Sequence, residues 1–180
     1  MSKKLPLPRS FFSCPPLSSQ EIAHYKAHAQ SLVMDVIRTA NVNSGQYTWD
    51  LVSDDGDLKI YKGVDSISSL SCGIVEVAGT MDEAIGLFRT DTQEAATEYT
   101  GRFLPNLVDS TVLYTITTPT ETSKEKADIH WMALKSGMKA RDVCVLSCLR
   151  EFEKNGRRGW TAVYQSEKTK KRKQPKTPNL

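Results

Sequence analysis

The sequence predicts an α+β fold, in which a curved antiparallel sheet packs with one N-terminal helix and two short helices. The first observation is the order of the predicted elements: a helix, three strands, two short helices and four strands. The second is Asn155-Gly156 between two alternating segments, a strong hairpin signal because both turn residues need a positive φ. A curved sheet wrapped round a helix usually encloses a cavity, so this fold class favours binding over catalysis.

The first helix has clear start and stop signals. Ser18 is placed to act as the N-cap, and Glu21 three residues later completes a capping box. Residues 41–45 are typical of a helix end. An apolar stripe at helical spacing lies between these signals and consists of Ile22, Tyr25, Ala29, Leu32, Val33, Val36 and Ile37. The helix therefore has one face to bury against another element.

Three short strands are predicted next, at about 47–53, 58–61 and 74–77. Asp55-Gly56 is the predicted centre of a hairpin between the first two strands. The segment 63–71 is rich in serine, and we expect it to be a loop.

Two short helices and four strands complete the predicted order. Thr80 and Glu83 can form a second capping box. The third helix is expected to begin near Asp91 and to end before Pro105. Both helices are too short to be stable alone, so they must pack on the sheet. The four strands are predicted at about 110–117, 128–135, 142–152 and 159–167.

The composition is that of an ordinary globular domain, with 180 residues of which 39% are hydrophobic and 25% are charged. We find no apolar run of about 18 residues and no signal peptide, so we expect a cytoplasmic protein with reduced thiols. None of the four cysteines has Cys-x-x-Cys spacing. Cys144 and Cys148 would share one face of a strand, and we interpret them as small apolar wall residues.

The positive charge of the chain is concentrated in its C-terminal tail. Residues 168–180 hold six basic residues and no acid, so the net charge of +3 becomes −3 for residues 1–167. We therefore expect no specific nucleic-acid binding by the folded part. The stretch from Lys170 to Lys176 matches a short nuclear-localisation pattern, could equally attract anionic lipid, or could be a solvated end without a role.

These patterns divide the chain into three parts. Residues 1–16 are expected to form a flexible, proline-containing arm, from which Phe11 and Phe12 can dock on the domain. Residues 17–167 form the folded domain. Residues 168–180 are expected to be a disordered basic tail.

Several of these features resemble the START lipid-transfer domain, which has a helix-grip fold. They are the leading helix, Trp49 at the first strand, Gly56 before the strand at 58–62, the paired short helices, and Arg141-Asp142-Val143. The resemblance covers roughly residues 18–167. It implies a deep apolar tunnel for one lipid or sterol, covered by a C-terminal helix and mobile loops.

The chain departs from the START pattern after Glu167, where no amphipathic segment follows. We expect the C-terminal lid helix and the last strands to be missing, so that the domain is incomplete. The chain would then be a truncated product, or would borrow its lid from another chain. An open apolar trough would attract a lipid, a protein partner or, transiently, a membrane surface.

Six side chains are candidates for lining the cavity, namely Tyr114, His130, Trp131, Met132, Arg141 and Tyr164. Trp131 could instead be core packing, because alternation alone does not say which face of a sheet points inward. Arg141-Asp142 could orient a polar head group as a buried ion pair, or could be a structural salt bridge or cap at the start of its strand.

Metal binding and catalysis have little support. His24 and His28 have a spacing that could hold a metal on one helix face, but no further ligands complete the site and we interpret both as solvent-facing. No nucleophile elbow, P-loop or dinucleotide motif is present.

We therefore expect a non-enzymatic domain without a cofactor, which binds a lipid or other hydrophobic ligand between the first helix's side of the sheet and the two short helices. The alternative is a remnant START-like scaffold that acts by protein contact. In that case a partner covers the open groove, and the basic tail directs the protein to the nucleus or to a membrane surface.

Overall fold

The computed structural model describes residues 5–43, 47–64, 69–88, 93–120, 123–137 and 139–167. Its element order agrees with the sequence prediction, apart from an added 3₁₀ turn at Arg9–Phe11. The elements are α1 (Ser19–Thr39), β1 (Trp49–Asp54), β2 (Leu58–Val64), β3 (Ser69–Val75), α2 (Met81–Gly86), α3 (Gln93–Phe103), β4 (Leu107–Thr117), β5 (Lys126–Ser136), β6 (Lys139–Lys154) and β7 (Arg157–Ser166). The α+β class with antiparallel strands is confirmed.

The strands form two sheets, whereas the sequence analysis expected one curved sheet. The first sheet has the order β1-β2-β3 and the second has the order β4-β5-β6-β7, each joined by antiparallel neighbours. Within the described residues, no strand of one sheet is hydrogen-bonded to a strand of the other. The chain passes between them through α2 and α3, which separates the two sets of backbone ladders.

Both predicted capping boxes are present. At the start of α1, the Ser18 hydroxyl accepts a hydrogen bond from the Glu21 amide at 3.2 Å, and the Glu21 carboxylate accepts one from the Ser18 amide at 2.9 Å. Thr80 and Glu83 repeat this arrangement at α2, with distances of 3.2 and 2.8 Å. Each box satisfies amides that have no partner within the helix.

The two predicted hairpin turns differ in type. Asn155 and Gly156 have φ of 53° and 72°, so the two-residue turn between β6 and β7 is confirmed. Between β1 and β2, Gly56 alone has a positive φ, of 78°, and three residues separate the strands. The Asp54 carboxylate accepts a hydrogen bond from the Gly56 amide at 3.1 Å, which stabilises this longer loop.

The structure corrects both ends of the loop predicted at 63–71, which belong to strands. β2 continues to Val64 and β3 begins at Ser69, with continuous pairing from Val64 and Ser69 to Leu58 and Val75. Serine is tolerated here because Ser69 and Ser71 occupy the exposed face of the strand. The start of the third helix near Asp91 lies outside the described residues, and α3 ends at Phe103, before Pro105 as predicted.

α1 packs on one face of the four-stranded sheet, called here the α1 face. Its buried residues Ala29 and Val33 contact a cluster that includes Ile129, Leu146 and Cys148. Ala29 and Leu146 are 0% exposed, so this part of the interior is filled by side chains.

The N-terminal arm covers the remainder of the α1 face. Leu7 is buried with Trp131 and Ala133, and Phe11 and Phe12 pack against them, so the predicted docking of both aromatic residues is confirmed. The rings of Phe12 and Trp131 are 5.0 Å apart. Polar contacts also hold the arm: the Leu7 amide donates to Asp109 Oδ2 at 2.7 Å, and the Arg9 side chain donates through Nη2 to the Leu113 carbonyl at 3.0 Å.

Candidate functional site

The alternation of β5 assigns the candidate residues to two different faces. Ile129 and Trp131 lie on the α1 face, because both belong to its buried clusters. Asp128, His130 and Met132 therefore lie on the opposite face, called here the far face.

Of the six candidates, three come together on the far face, Arg141 lies at one end of that face, and two lie on the α1 face. His130 and Met132 share that face along β5, and Tyr164 of β7 joins it through its pairing with Ser147, which is itself opposite Asp128. Tyr114 is directly opposite Ile129 and packs against the core under α1, while Trp131 packs under the arm. Tyr114 and Trp131 therefore serve the core.

The buried ion pair considered for Arg141-Asp142 is not present, since both residues are exposed. They are consecutive on β6, so their side chains project to opposite faces. Asp142 Oδ2 accepts a hydrogen bond from Trp131 Nε1 at 3.0 Å, which gives the indole a partner. Arg141 is opposite Leu134, at one end of the far face.

A row of polar side chains crosses all four strands of the far face. Strand pairing sets Thr115 opposite Asp128, Asp128 opposite Ser147, and Ser147 opposite Tyr164. Asp128 is 3% exposed and Ser147 is also buried. The neighbouring apolar residues Met132 and Val145 are buried as well. These four residues shield the centre of the far face from solvent and are called here the shielded floor.

Asp128 is the most unusual group of this floor. Its Oδ2 lies 3.4 Å from Lys126 Nζ and 3.7 Å from His130 Nε2. Burial is the largest influence on the carboxyl pKa and raises it, but His130, the Lys126 charge and Thr115 together lower the pKa below its ordinary value. The group is therefore ionised at neutral pH. Its Oδ1 is buried and has no hydrogen-bond partner among the described residues.

α3 reaches the far face through a pair of tyrosine hydroxyls. Tyr99 is buried, and its hydroxyl lies 3.2 Å from that of Tyr164. Burial, followed by this contact with Tyr99, raises the pKa of Tyr164. Tyr99 also belongs to an aromatic cluster with Phe88 and Phe103, whose ring centroids are 5.0–6.1 Å apart. Phe88 and Phe103 are exposed, so the cluster presents an apolar rim.

A groove of about 440 Å³ adjoins this rim. Phe103 borders it on the side of α3, and Leu134 and Lys135 border it on the side of β5. Leu134 shares the far face with Met132, because the two residues are separated by one position on β5. A second groove, of about 510 Å³, lies between the C-terminal end of α1 and the β6–β7 hairpin. Neither groove is lined by any of the six candidates.

The histidines of α1 contact each other and the end of β7. The rings of His24 and His28 stack with centroids 6.3 Å apart, and His28 Nε2 lies 3.3 Å from Glu167 Oε1. Over the described ranges, no group of three or more His, Cys, Asp or Glu side chains is arranged to hold a metal ion.

Comparison with protein-family models, curated proteins and solved structures finds no match to this chain. The START resemblance thus depends on the element order and the quoted residues alone. None of the helices in the described part of the chain has the length and apolar character needed to cross a membrane.

The sequence analysis did not single out Asp128, Ser147 or Tyr99. Asp128 carried one signal, because aspartate is depleted in strands and this one occupies the same alternating positions as His130 and Met132. Ser147 and Tyr99 carried none, since their proximity to Asp128 and Tyr164 depends on pairing between distant segments.

Proposed function

We propose that this chain is a non-enzymatic binding domain for a lipid or sterol-like ligand, held on the far face of the four-stranded sheet. The observation that carries the proposal is the combination of a shielded floor, containing Asp128 and Met132, with an exposed aromatic rim that leads to a groove. Such a mixture of apolar surface and few polar groups is typical of small-molecule sites. A START-like, helix-grip relationship is part of this proposal and is supported by the element order.

The proposed location differs from the one expected from the sequence. The side of the sheet below α1 is occupied by Ala29, Val33 and Leu146, all of them nearly or fully buried. A ligand there would have to displace core side chains, at a cost of several kcal/mol. The far face needs no such displacement at its rim, because Phe88 and Phe103 are already exposed.

Lipid extraction tests this proposal. Purified protein is incubated with liposomes of mixed phospholipid and sterol, recovered, and examined by native mass spectrometry for bound lipid. We expect one lipid per chain. Met132→Asp should abolish extraction by placing a charge on the floor, whereas Val52→Asp, at an exposed position of β1, should not. Folded protein that extracts no lipid would contradict the proposal.

The second candidate is a scaffold that acts by protein contact, favoured by the uncovered surface of the three-stranded sheet. Leu58, Ile60 and Val75 share one face of that sheet and are all exposed, Val75 to 60%. Exposed apolar patches of this kind are typical of protein interfaces. An empty dimer or heteromer in the same native mass spectra would favour this function.

The basic tail, residues 168–180, lies outside the described residues. Its proposed role under either function is a localisation signal for the nucleus or for an anionic membrane surface. Cytoplasmic residence of the folded part belongs to the same proposal.

A further inference from the structure

The groove of about 510 Å³ lies on the α1 face, where the β6–β7 hairpin extends past the buried cluster under α1. That cluster includes Cys148 of β6, and β6 continues beyond it to Lys154. Val36 and Ile37 border the groove on the side of the helix, while Phe152 and Lys154 border it on the side of the hairpin. Its volume is in the range of small-molecule pockets.

Phe152 forms an aromatic wall of this groove, and Gly159 fixes the position of the ring. The two residues are directly opposite each other, and a Cβ on Gly159 would lie only 2.5 Å from Cζ of the ring. The ring therefore occupies the space that a side chain at Gly159 would need. Phe152 is half-buried and Val36 is 39% exposed, so both walls have apolar surface that a ligand can reach.

Two cations lie at the tip of the hairpin. Lys154 and Arg157 are directly opposite each other and exposed, and Lys154 shares the α1 face with Phe152 because the two are separated by one position on β6. Among the described residues, no acidic side chain forms an ion pair with either cation, whereas Arg158 on the far face pairs with Glu151. Like charges directly opposite each other are unfavourable, so an anion between them is stabilising.

The helix determines which way round an amphiphile would lie. Val36 and Ile37 belong to the last turn of α1, where the helix dipole carries partial negative charge. An anionic head is disfavoured there and favoured beside Lys154, so an apolar chain takes the helix side of the groove. A cationic head would be repelled at the tip of the hairpin, and a neutral head would gain nothing from its charges.

We infer that this groove is a second ligand site, which binds an anionic amphiphile of the fatty-acid type. The carboxylate lies between Lys154 and Arg157, and the chain lies along Phe152 and Val36. Both cationic groups are exposed, so the carboxylate reaches them without displacing a side chain. The inference does not depend on the far-face site, because no residue of the shielded floor or the aromatic rim lines this groove.

Photoaffinity labelling tests the inference. Full-length protein is irradiated with a dodecanoate that carries a diazirine in its chain, and the labelled peptides are mapped by mass spectrometry. A parallel sample contains the dodecanol with the same diazirine. We expect the carboxylate probe to label residues 36–41 or 152–162 and to be displaced by excess dodecanoate. The alcohol probe should label these segments about fivefold less, the value of two partly exposed charge contacts.

Charge reversal at the tip tests the head-group assignment. In the double variant Lys154→Glu and Arg157→Glu, attraction becomes repulsion, so labelling of the groove by the carboxylate probe should fall about tenfold or more. Lys26→Glu with Lys62→Glu makes the same change in net charge at exposed positions of α1 and β2 and should leave the labelling unchanged. Val36→Asp, which places a carboxylate in the path of the chain, should also reduce it. Circular dichroism verifies that each variant is folded.

The outcomes separate this inference from the proposed function. Label confined to the far-face groove, at Phe103 or Leu134, would overturn the inference and leave the proposed function in place. Equal labelling by the two probes, or labelling that the charge-reversed variant retains, would overturn the carboxylate assignment. Folded wild-type protein without any label would overturn the second site, while extraction of phospholipid or sterol decides the proposed function separately.

Discussion

The two faces of the four-stranded sheet are formed by the same strands, but they bury different kinds of side chain. On the α1 face, Leu146 and Cys148 pack against a helix and are buried among apolar atoms. On the far face, Asp128 and Ser147 are buried too, but as polar groups in a row across the strands. The comparison shows that burial alone does not identify core, because one buried face is apolar and the other holds a charge.

The largest effect on the free energy of unfolding is expected from a substitution in the core of the α1 face. Leu146→Ala should lower the free energy of unfolding by about 2–5 kcal/mol, because the side chain is fully buried and its removal leaves a cavity. Val112→Ala, at an exposed position of the far face, should change it by less than about 0.5 kcal/mol. Urea unfolding measures both values. Equal losses would mean that the two faces are packed alike.

The next effect concerns the charge on the far face. Asp128→Asn should lower the free energy of unfolding by about 1–3 kcal/mol at neutral pH, since Lys126 and His130 lose their charged partner. The carboxyl pKa is lowered in the folded protein, so its contribution is present above the ordinary value of 3.8 and is lost as the pH falls through the folded value. The difference between wild type and variant should therefore shrink in acid.

Unfolding curves between neutral pH and pH 3 check this dependence. Asp50→Asn, which replaces an exposed carboxylate on β1, is the matched control. A difference between wild type and Asp128→Asn that stays constant with pH would contradict the assignment of a stabilising charge to this group.

The two capping boxes should have smaller effects on stability. Comparing them shows how tightly α1 and α2 are each packed. Ser18→Ala should cost about 1 kcal/mol, because α1 is packed on the sheet and its ends are part of the cooperative structure. Thr80→Ala should cost less, because the six-residue α2 contains no buried residue. Thermal unfolding of both variants compares them. A greater loss for Thr80→Ala would place α2 among the tightly packed elements.

A single hydrogen bond is tested at the tyrosine pair that links α3 to the far face. Tyr99→Phe should cost about 0.5–1.5 kcal/mol, the value of one hydrogen bond. It should also bring the raised pKa of Tyr164 closer to its ordinary value of 10.0, because the contact with Tyr99 contributes to the shift. Stability due to this group is present below pH 10 and is lost as the pH rises through the folded pKa. Spectrophotometric titration of the tyrosines measures the change.

The sequence was sufficient for features that depend on neighbouring residues. Ser18 with Glu21, Thr80 with Glu83, and Asn155-Gly156 each act within a few residues, and all three signals are confirmed. Alternation likewise found the seven strands, although it placed β3 too late, because serines on a solvated face look like a loop.

Features that depend on distant pairing were not accessible from the sequence. The apolar stripe of α1 showed that the helix covers a surface, but not whether Trp131 or His130 lay beneath that surface. The division into two sheets and the polar row from Thr115 to Tyr164 arise from pairings between separate strands. For this reason the candidate list combined residues of both faces and omitted Asp128.

The contact between Leu7 and Asp109 has a consequence for synthesis in the cell. The two residues are separated by 102 positions, so Leu7 leaves the ribosome long before the surface that it contacts exists. Trp131 and Cys144, which complete that surface, are made later still. Residues 5–12 are thus translated well before the partners that hold them in place, and Phe11 and Phe12 have no packing partner on the sheet during that interval.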